Sequence, residues 1–109
     1  MKKLFISQPM TGKSHEDILS ERESAIALAK EVLKEDVEVL DSYFEDYNPT
    51  NSRIPLKYLA KSLEVLADAD IIYLATGWRE SRGCNIEYVC ALNYCIPFID
   101  GEKLNGECE

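Results

Sequence analysis

The feature that most constrains this chain is Ile71-Ile72-Tyr73-Leu74-Ala75, an apolar run with no charged residue in it. A strand with one wet face alternates apolar and polar side chains, whereas a continuous run suits a strand covered on both faces, as in a parallel sheet. Leu4-Phe5-Ile6 is a second, shorter run, and it ends in the turn-forming segment Ser7-Gln8-Pro9-Met10-Thr11-Gly12. Val37-Glu38-Val39-Leu40 and Ile96-Pro97-Phe98-Ile99 read as further strands, with Pro97 favouring a sheet edge.

Helical periods separate these strands. Ser14 offers an N-cap with Asp17 three residues on, in the manner of a capping box. Ile18, Ala25, Ala29 and Val32 then mark one face, widened by Ile26, Leu28 and Leu33, so a helix is expected over about 15–35. Residues 41–53 lack periodicity and read as a loop. Pro55 suits the first turn of a second helix, in which Leu56, Leu59, Leu63 and Leu66 form a buried face up to about Ala67. After a loop over 76–83, a third helix is expected from about Asn85 to Tyr94, burying Ile86, Val89 and Cys90.

Strands alternating with helices imply an α/β fold, a small doubly wound parallel sheet of four or five strands. Right-handed crossovers place the first and third strands side by side. Ligands in such sheets bind beyond the strand carboxyl ends, where the strand order reverses. The loops 7–14 and 76–84 are therefore expected to meet there. The 109 residues suffice for one domain, expected over 1–100, with a polar tail over 101–109.

Composition removes several classes of function. A net charge of −8 with scattered Lys and Arg argues against a nucleic-acid polymer as partner, while a small phosphorylated ligand needs only a few donors. No apolar run approaches the roughly 20 residues that span a bilayer, and the start of the chain lacks the apolar stretch of a signal peptide, so a cytoplasmic location without membrane contact is expected. Four cysteines and the single histidine, His15, match no paired zinc spacing; Cys90 and Cys95 read as small buried hydrophobes.

The candidate chemistry lies in the loops. Ser81-Arg82-Gly83 precedes a helix, where free N–H groups and the positive helix end favour phosphate or carboxylate. Ser81 offers a hydroxyl, Arg82 a charge, and Gly83 close backbone approach; the plainer reading is a helix start with a glycine turn. Glu87 falls in the first turn or so, where the dipole favours its ionised form and a fixed carboxylate can attack an anomeric carbon. Alternatively it only complements the dipole. In the first loop Pro9 and Gly12 shape the turn, and Ser7, Gln8 and Thr11 supply hydrogen-bonding groups; no dinucleotide fingerprint or P-loop is present. Arg22 interrupts an apolar stripe, so it is paired, ligand-bound or snorkelling. Ser62 faces inward among leucines and either serves a site or bonds its own helix. Trp78 and Tyr73 suit a base or sugar, or simple packing.

Phe5-Ile6-Ser7-Gln8-Pro9-Met10-Thr11-Gly12, Ala69-Asp70 and Gly77-Trp78-Arg79-Glu80-Ser81-Arg82-Gly83-Cys84-Asn85-Ile86-Glu87 together resemble an uncharacterised bacterial and phage family. That family looks related to the nucleoside 2-deoxyribosyltransferases and the 2'-deoxynucleoside 5'-phosphate N-hydrolases. The resemblance runs from Lys3 to about Asp100 and implies a flavodoxin-like (Rossmann-like) fold, a homodimer or higher homo-oligomer, and no cofactor or metal. It implies Glu87 as the nucleophile on the deoxyribose C1', with Ser81 and Gly83 at phosphate. Ser7, Gln8, Pro9, Met10 and Gly12 would surround sugar and phosphate; Arg22, Ser62, Gly77, Trp78 and Arg82 are further candidates for the substrate site. The expected activity is cleavage or transfer of the N-glycosidic bond of a 2'-deoxynucleoside or its 5'-monophosphate. The alternative is a nucleotide-binding or sensing module without catalysis. One departure favours that alternative: Ser62 stands where those enzymes carry an aspartate, and serine is no general acid at usable pH. For an enzyme, either another carboxylate such as Glu64, Asp68 or Asp70 substitutes or the chemistry differs.

Overall fold

The structure is a computed structural model that describes residues 1–45, 47–50 and 53–103. Among the described residues four strands alternate with three α-helices: β1 (Lys2–Ser7), α1 (His15–Leu33), β2 (Val37–Val39), α2 (Ile54–Leu66), β3 (Ile71–Leu74), α3 (Arg82–Asn93) and β4 (Phe98–Asp100). All pairings are parallel and the order is β2-β1-β3-β4, a flavodoxin-like arrangement. The first and third strands are neighbours, with Leu4 opposite Ile71 and Ser7 opposite Leu74. The Ala75 N–H donates to the Ser7 carbonyl and continues that pairing past the end of β3.

The continuous apolar runs have the physical cause expected of them. Leu4, Ile6, Ile71 and Tyr73 point to one face and pack with Ala25 and Ala29 of α1. Phe5, Ile72 and Leu74 point to the other and meet Leu66 of α2 with Cys84 and Ala91 of α3. Leu4, Ile72 and Leu74 are wholly buried. Each such side chain contributes roughly 1.5–3 kcal/mol by leaving water, so a charge at Ile72 would unfold the domain. The alanines of α1 let that helix lie close on the sheet, and Val32, expected on the same stripe, is exposed.

Two helices bury a different face from the one expected. In α2 only Leu66 is buried; Leu59 and Leu63 are half-buried and Leu56 is 57% exposed. Only the C-terminal part of α2, with Leu63, Val65 and Leu66, packs on the core. Helix α3 starts at Arg82, three residues before the expected Asn85, because the Ser81 hydroxyl caps the Cys84 N–H at 3.3 Å. The Asn85 amide fixes the turn before it by donating to the carbonyls of Trp78, Arg79 and Ser81. With that register Cys84, Glu87 and Ala91 are buried, whereas Ile86 and Val89 face outward and Cys90 is half-buried. Cys95 is exposed, at a φ of 61° after the helix, so among the described residues Cys84 is the buried thiol.

The segment expected to be a tail begins as part of the fold. Gly101 is buried, and a Cβ there would lie 2.6 Å from the Leu74 carbonyl oxygen, so only glycine fits. Glu102 accepts from the Gly77 N–H at 2.8 Å and pairs with Arg79. Residues 104–109 lie outside the described residues.

Candidate functional site

The loops after β1 and β3 do meet. Pro9, Met10 and Thr11 face Gly77, Glu80, Ser81, Arg82 and Gly83 across a cleft of ≈ 300 Å³. Gly77, at φ +90°, makes the turn that brings the second loop against the first, where a Cβ would touch Pro9 at 3.4 Å. The cleft lies over the amino end of α3. The N–H groups of Arg82 and Gly83 precede the first intrahelical bond, which runs from the Asn85 N–H to the Ser81 carbonyl. Free N–H groups, the Arg82 guanidinium and the Ser81 hydroxyl therefore gather beside one space, an arrangement suited to an anion. Gly12, at φ +80°, shapes the first loop and lies apart from this cleft.

The second loop is braced from behind. Arg79 pairs with Asp100 at 2.8 Å and with Glu102, and its guanidinium stacks on Trp78 at 4.6 Å. Burial alone would raise the Asp100 pKa, but hydrogen bonds from Trp78 Nε1 and Arg79 hold it below its ordinary value. Trp78 itself is buried with Phe5, Leu74 and Cys84, its ring against Tyr88 at 4.8 Å. It is a core residue that anchors the loop and does not line the cleft, in contrast to the substrate contact expected of it. Tyr73 is buried in the core on the α1 face.

Behind the cleft, Glu87 projects from α3 to the end of β1. It is 7% exposed, and its Oε1 accepts from Ser7 Oγ at 2.6 Å. The Ser62 hydroxyl of α2 also favours its ionised form. Burial raises its pKa to about 7, and the Ser7 and Ser62 hydroxyls offset part of that rise. Glu87 is the sixth residue of α3, past the first turn, so desolvation outweighs the dipole effect expected to keep it ionised. Next to it the pKa of the Cys84 thiol is pushed up by burial, and the Ser7 and Ser81 hydroxyls oppose that rise.

Arg22 has an inward place and protein partners. It donates to Gln8 Oε1 and Ser42 Oγ at 3.1 Å each and to the Leu40 carbonyl at 3.3 Å. Ser42 in turn donates to the Ile6 carbonyl, and Gln8 donates to the Ile18 carbonyl and to Glu21. Burial lowers the Arg22 pKa, and nearby Asp41 opposes that shift. The arginine thus ties the first loop to the end of β2. The carboxylates expected to substitute for an aspartate at the Ser62 position are elsewhere. Asp70 accepts from the Lys3 N–H at 2.8 Å at the amino end of the sheet, Asp68 sits beside it in the chain, and Glu64 is exposed on α2.

A second cleft, of ≈ 370 Å³, was not expected. It opens beyond β2, lined by Asp41, Tyr43, Phe44, Glu45, Tyr47 and Lys61. The density of aromatics just after a strand is the sequence signal that marks it. Among the described residues no three His, Cys, Asp or Glu side chains group to hold a metal, and no helix is long and apolar enough to cross a membrane.

Residues 2–100 match the family profile described as a domain of unknown function, DUF4406. No curated protein and no solved structure matches the chain.

Proposed function

The chain belongs to the DUF4406 family, and from that premise we propose that it processes a 2'-deoxynucleoside or its 5'-monophosphate at the N-glycosidic bond, with Glu87 as nucleophile. The observation that carries this reading is the Ser7–Glu87 hydrogen bond of 2.6 Å. It fixes a buried carboxylate at the carboxyl end of the central strand, beside a cleft whose helix terminus suits a phosphate.

In this mechanism a Glu87 carboxylate oxygen bonds to C1' as the C1'–N bond breaks. The bonding pair leaves with the base, which takes a proton from water in the open cleft. Water or an acceptor base then attacks C1' and releases Glu87. Ser7 orients the carboxylate through its hydroxyl, and the Ser62 hydroxyl favours the ionised form. A pKa of about 7 leaves a substantial ionised fraction at neutral pH and makes the reaction rise with pH through that value.

A second reading, a nucleotide-binding module without turnover, draws on Ser62. The hydroxyl next to Glu87 supplies no proton to a leaving base at usable pH. A chromatographic screen against the 2'-deoxynucleosides and their 5'-monophosphates, with and without an acceptor base, separates the two. Release of free base that disappears in Glu87→Gln is the expected result. Binding without release in the unaltered protein supports the module, and release that persists in Glu87→Gln removes Glu87 as nucleophile.

A further inference from the structure

The aromatic cleft beyond β2 is a built feature. Tyr47 is held by its carbonyl, which accepts from the Tyr58 hydroxyl at 2.6 Å, and its ring meets Tyr58 edge-on at 5.2 Å. Phe44 packs edge-on to Tyr47, and the Lys61 ammonium sits 5.2 Å from the centre of each ring. The remaining polar lining is mostly acceptor: the carboxylates of Asp41 and Glu45. Rings fixed by neighbours, with a few polar groups at the rim, suit a flat, partly polar ligand.

Its position relative to Glu87 gives the ligand a part to play. The sheet order places β1 between β2 and β3. The anion-binding cleft lies over the ends of β1 and β3, and the aromatic cleft follows β2, so the two flank the end of β1, where Ser7 holds Glu87. On the α2 side Glu87 is influenced by the Ser62 hydroxyl, and Lys61, the chain neighbour of Ser62, lines the aromatic cleft. Resting on the reading above, we propose that the aromatic cleft is the base subsite and that it selects a base bearing an exocyclic amino group. Phe44 and Tyr47 give the aromatic wall, Asp41 and Glu45 accept from the amino group, and Lys61 donates to a ring nitrogen or carbonyl. Thymine, which lacks an amino group, offers these carboxylates only its ring N3–H.

Titration calorimetry on the full chain carrying Glu87→Gln, which keeps the ligand intact, tests this with three probes: 2-deoxyribose 5-phosphate, 2'-deoxyadenosine 5'-monophosphate and thymidine 5'-monophosphate. The adenine nucleotide is expected to bind about 10-fold or more tightly than deoxyribose phosphate, the scale of one stacked base, with the thymine nucleotide between the two. Phe44→Ala is expected to remove that advantage while leaving the affinity for deoxyribose phosphate unchanged, which also shows that the variant is folded. Asp41→Asn is expected to narrow the gap between adenine and thymine nucleotides. If deoxyribose phosphate binds and the base adds nothing, or if Phe44→Ala leaves the adenine advantage intact, the base subsite is overturned while the anion cleft stands. Equal binding of the two nucleotides overturns the amino selectivity. If none of the three binds, the base subsite and the nucleotide reading fall together.

Discussion

Two polar clusters lie under the same loop, and they have been solved differently. Around Arg22 the buried charge meets three oxygen acceptors, and Asp41 is close enough to favour the charged form. Around Glu87 the buried carboxylate meets only hydroxyls, with no ion pair to it among the described residues. A buried charge supplied with partners is part of the framework. One left with neutral donors has a shifted pKa and can gain or lose a proton near pH 7. Adjacent residues of β1 and its loop, Ser7 and Gln8, each serve one cluster, so a satisfied buried charge and a titratable carboxyl are held one peptide bond apart.

The largest test of this contrast is Arg22→Met. It strips donors from Gln8, Ser42 and the Leu40 carbonyl, and is expected to lower stability by about 4 kcal/mol in urea denaturation. A loss below about 1 kcal/mol would make the arginine dispensable to the framework. Glu87→Gln is expected to act in the opposite direction. Between pH 4.5 and about 7 the native carboxyl keeps a proton that the unfolded chain has released, so native stability falls as pH rises through that window. The shift sets a ceiling of about 3 kcal/mol, and the variant is expected to gain about 2 kcal/mol at pH 8 and to lose the slope. A wild-type stability that is flat across the same window would contradict the uncompensated carboxylate.

Smaller effects sharpen the boundary between the clusters. Ser42→Ala is expected to cost about 1 kcal/mol at every pH, since it removes bonds to Arg22 and the Ile6 carbonyl without touching Glu87. Ser7→Ala is expected to raise the Glu87 pKa further, because a hydrogen bond that favours the ionised form is gone. Carbon-13 NMR of the labelled carboxyl reads that shift, and a downward movement would deny the bond its assigned role.

The sheet was legible because burial on two faces leaves an unbroken apolar run, and Ile71-Ile72-Tyr73-Leu74 carries that signature without ambiguity. The outer helices were less so. Periodicity marks an apolar face but not whether anything covers it, and Leu56, Ile86 and Val89 show that an apolar stripe can face outward. Within the site, the meeting of the two loops followed from strand order alone. The partners of Arg22 did not, because Ser42 arrives from a loop 20 residues away. The state of Glu87 was hidden for a related reason. Its helix begins at a cap that shifts the register, which turns a first-turn carboxylate into a buried one.

The most direct test of the central claim is intact-protein mass spectrometry of acid-quenched mixtures of the chain with the 2'-deoxynucleosides and their 5'-monophosphates. A 2-deoxyribosyl adduct, or its 5-phosphate, mapped by peptide fragmentation to Glu87 and absent from Glu87→Gln, is the predicted result. Base release at an undiminished rate in Glu87→Gln, with any adduct on another residue, would contradict it.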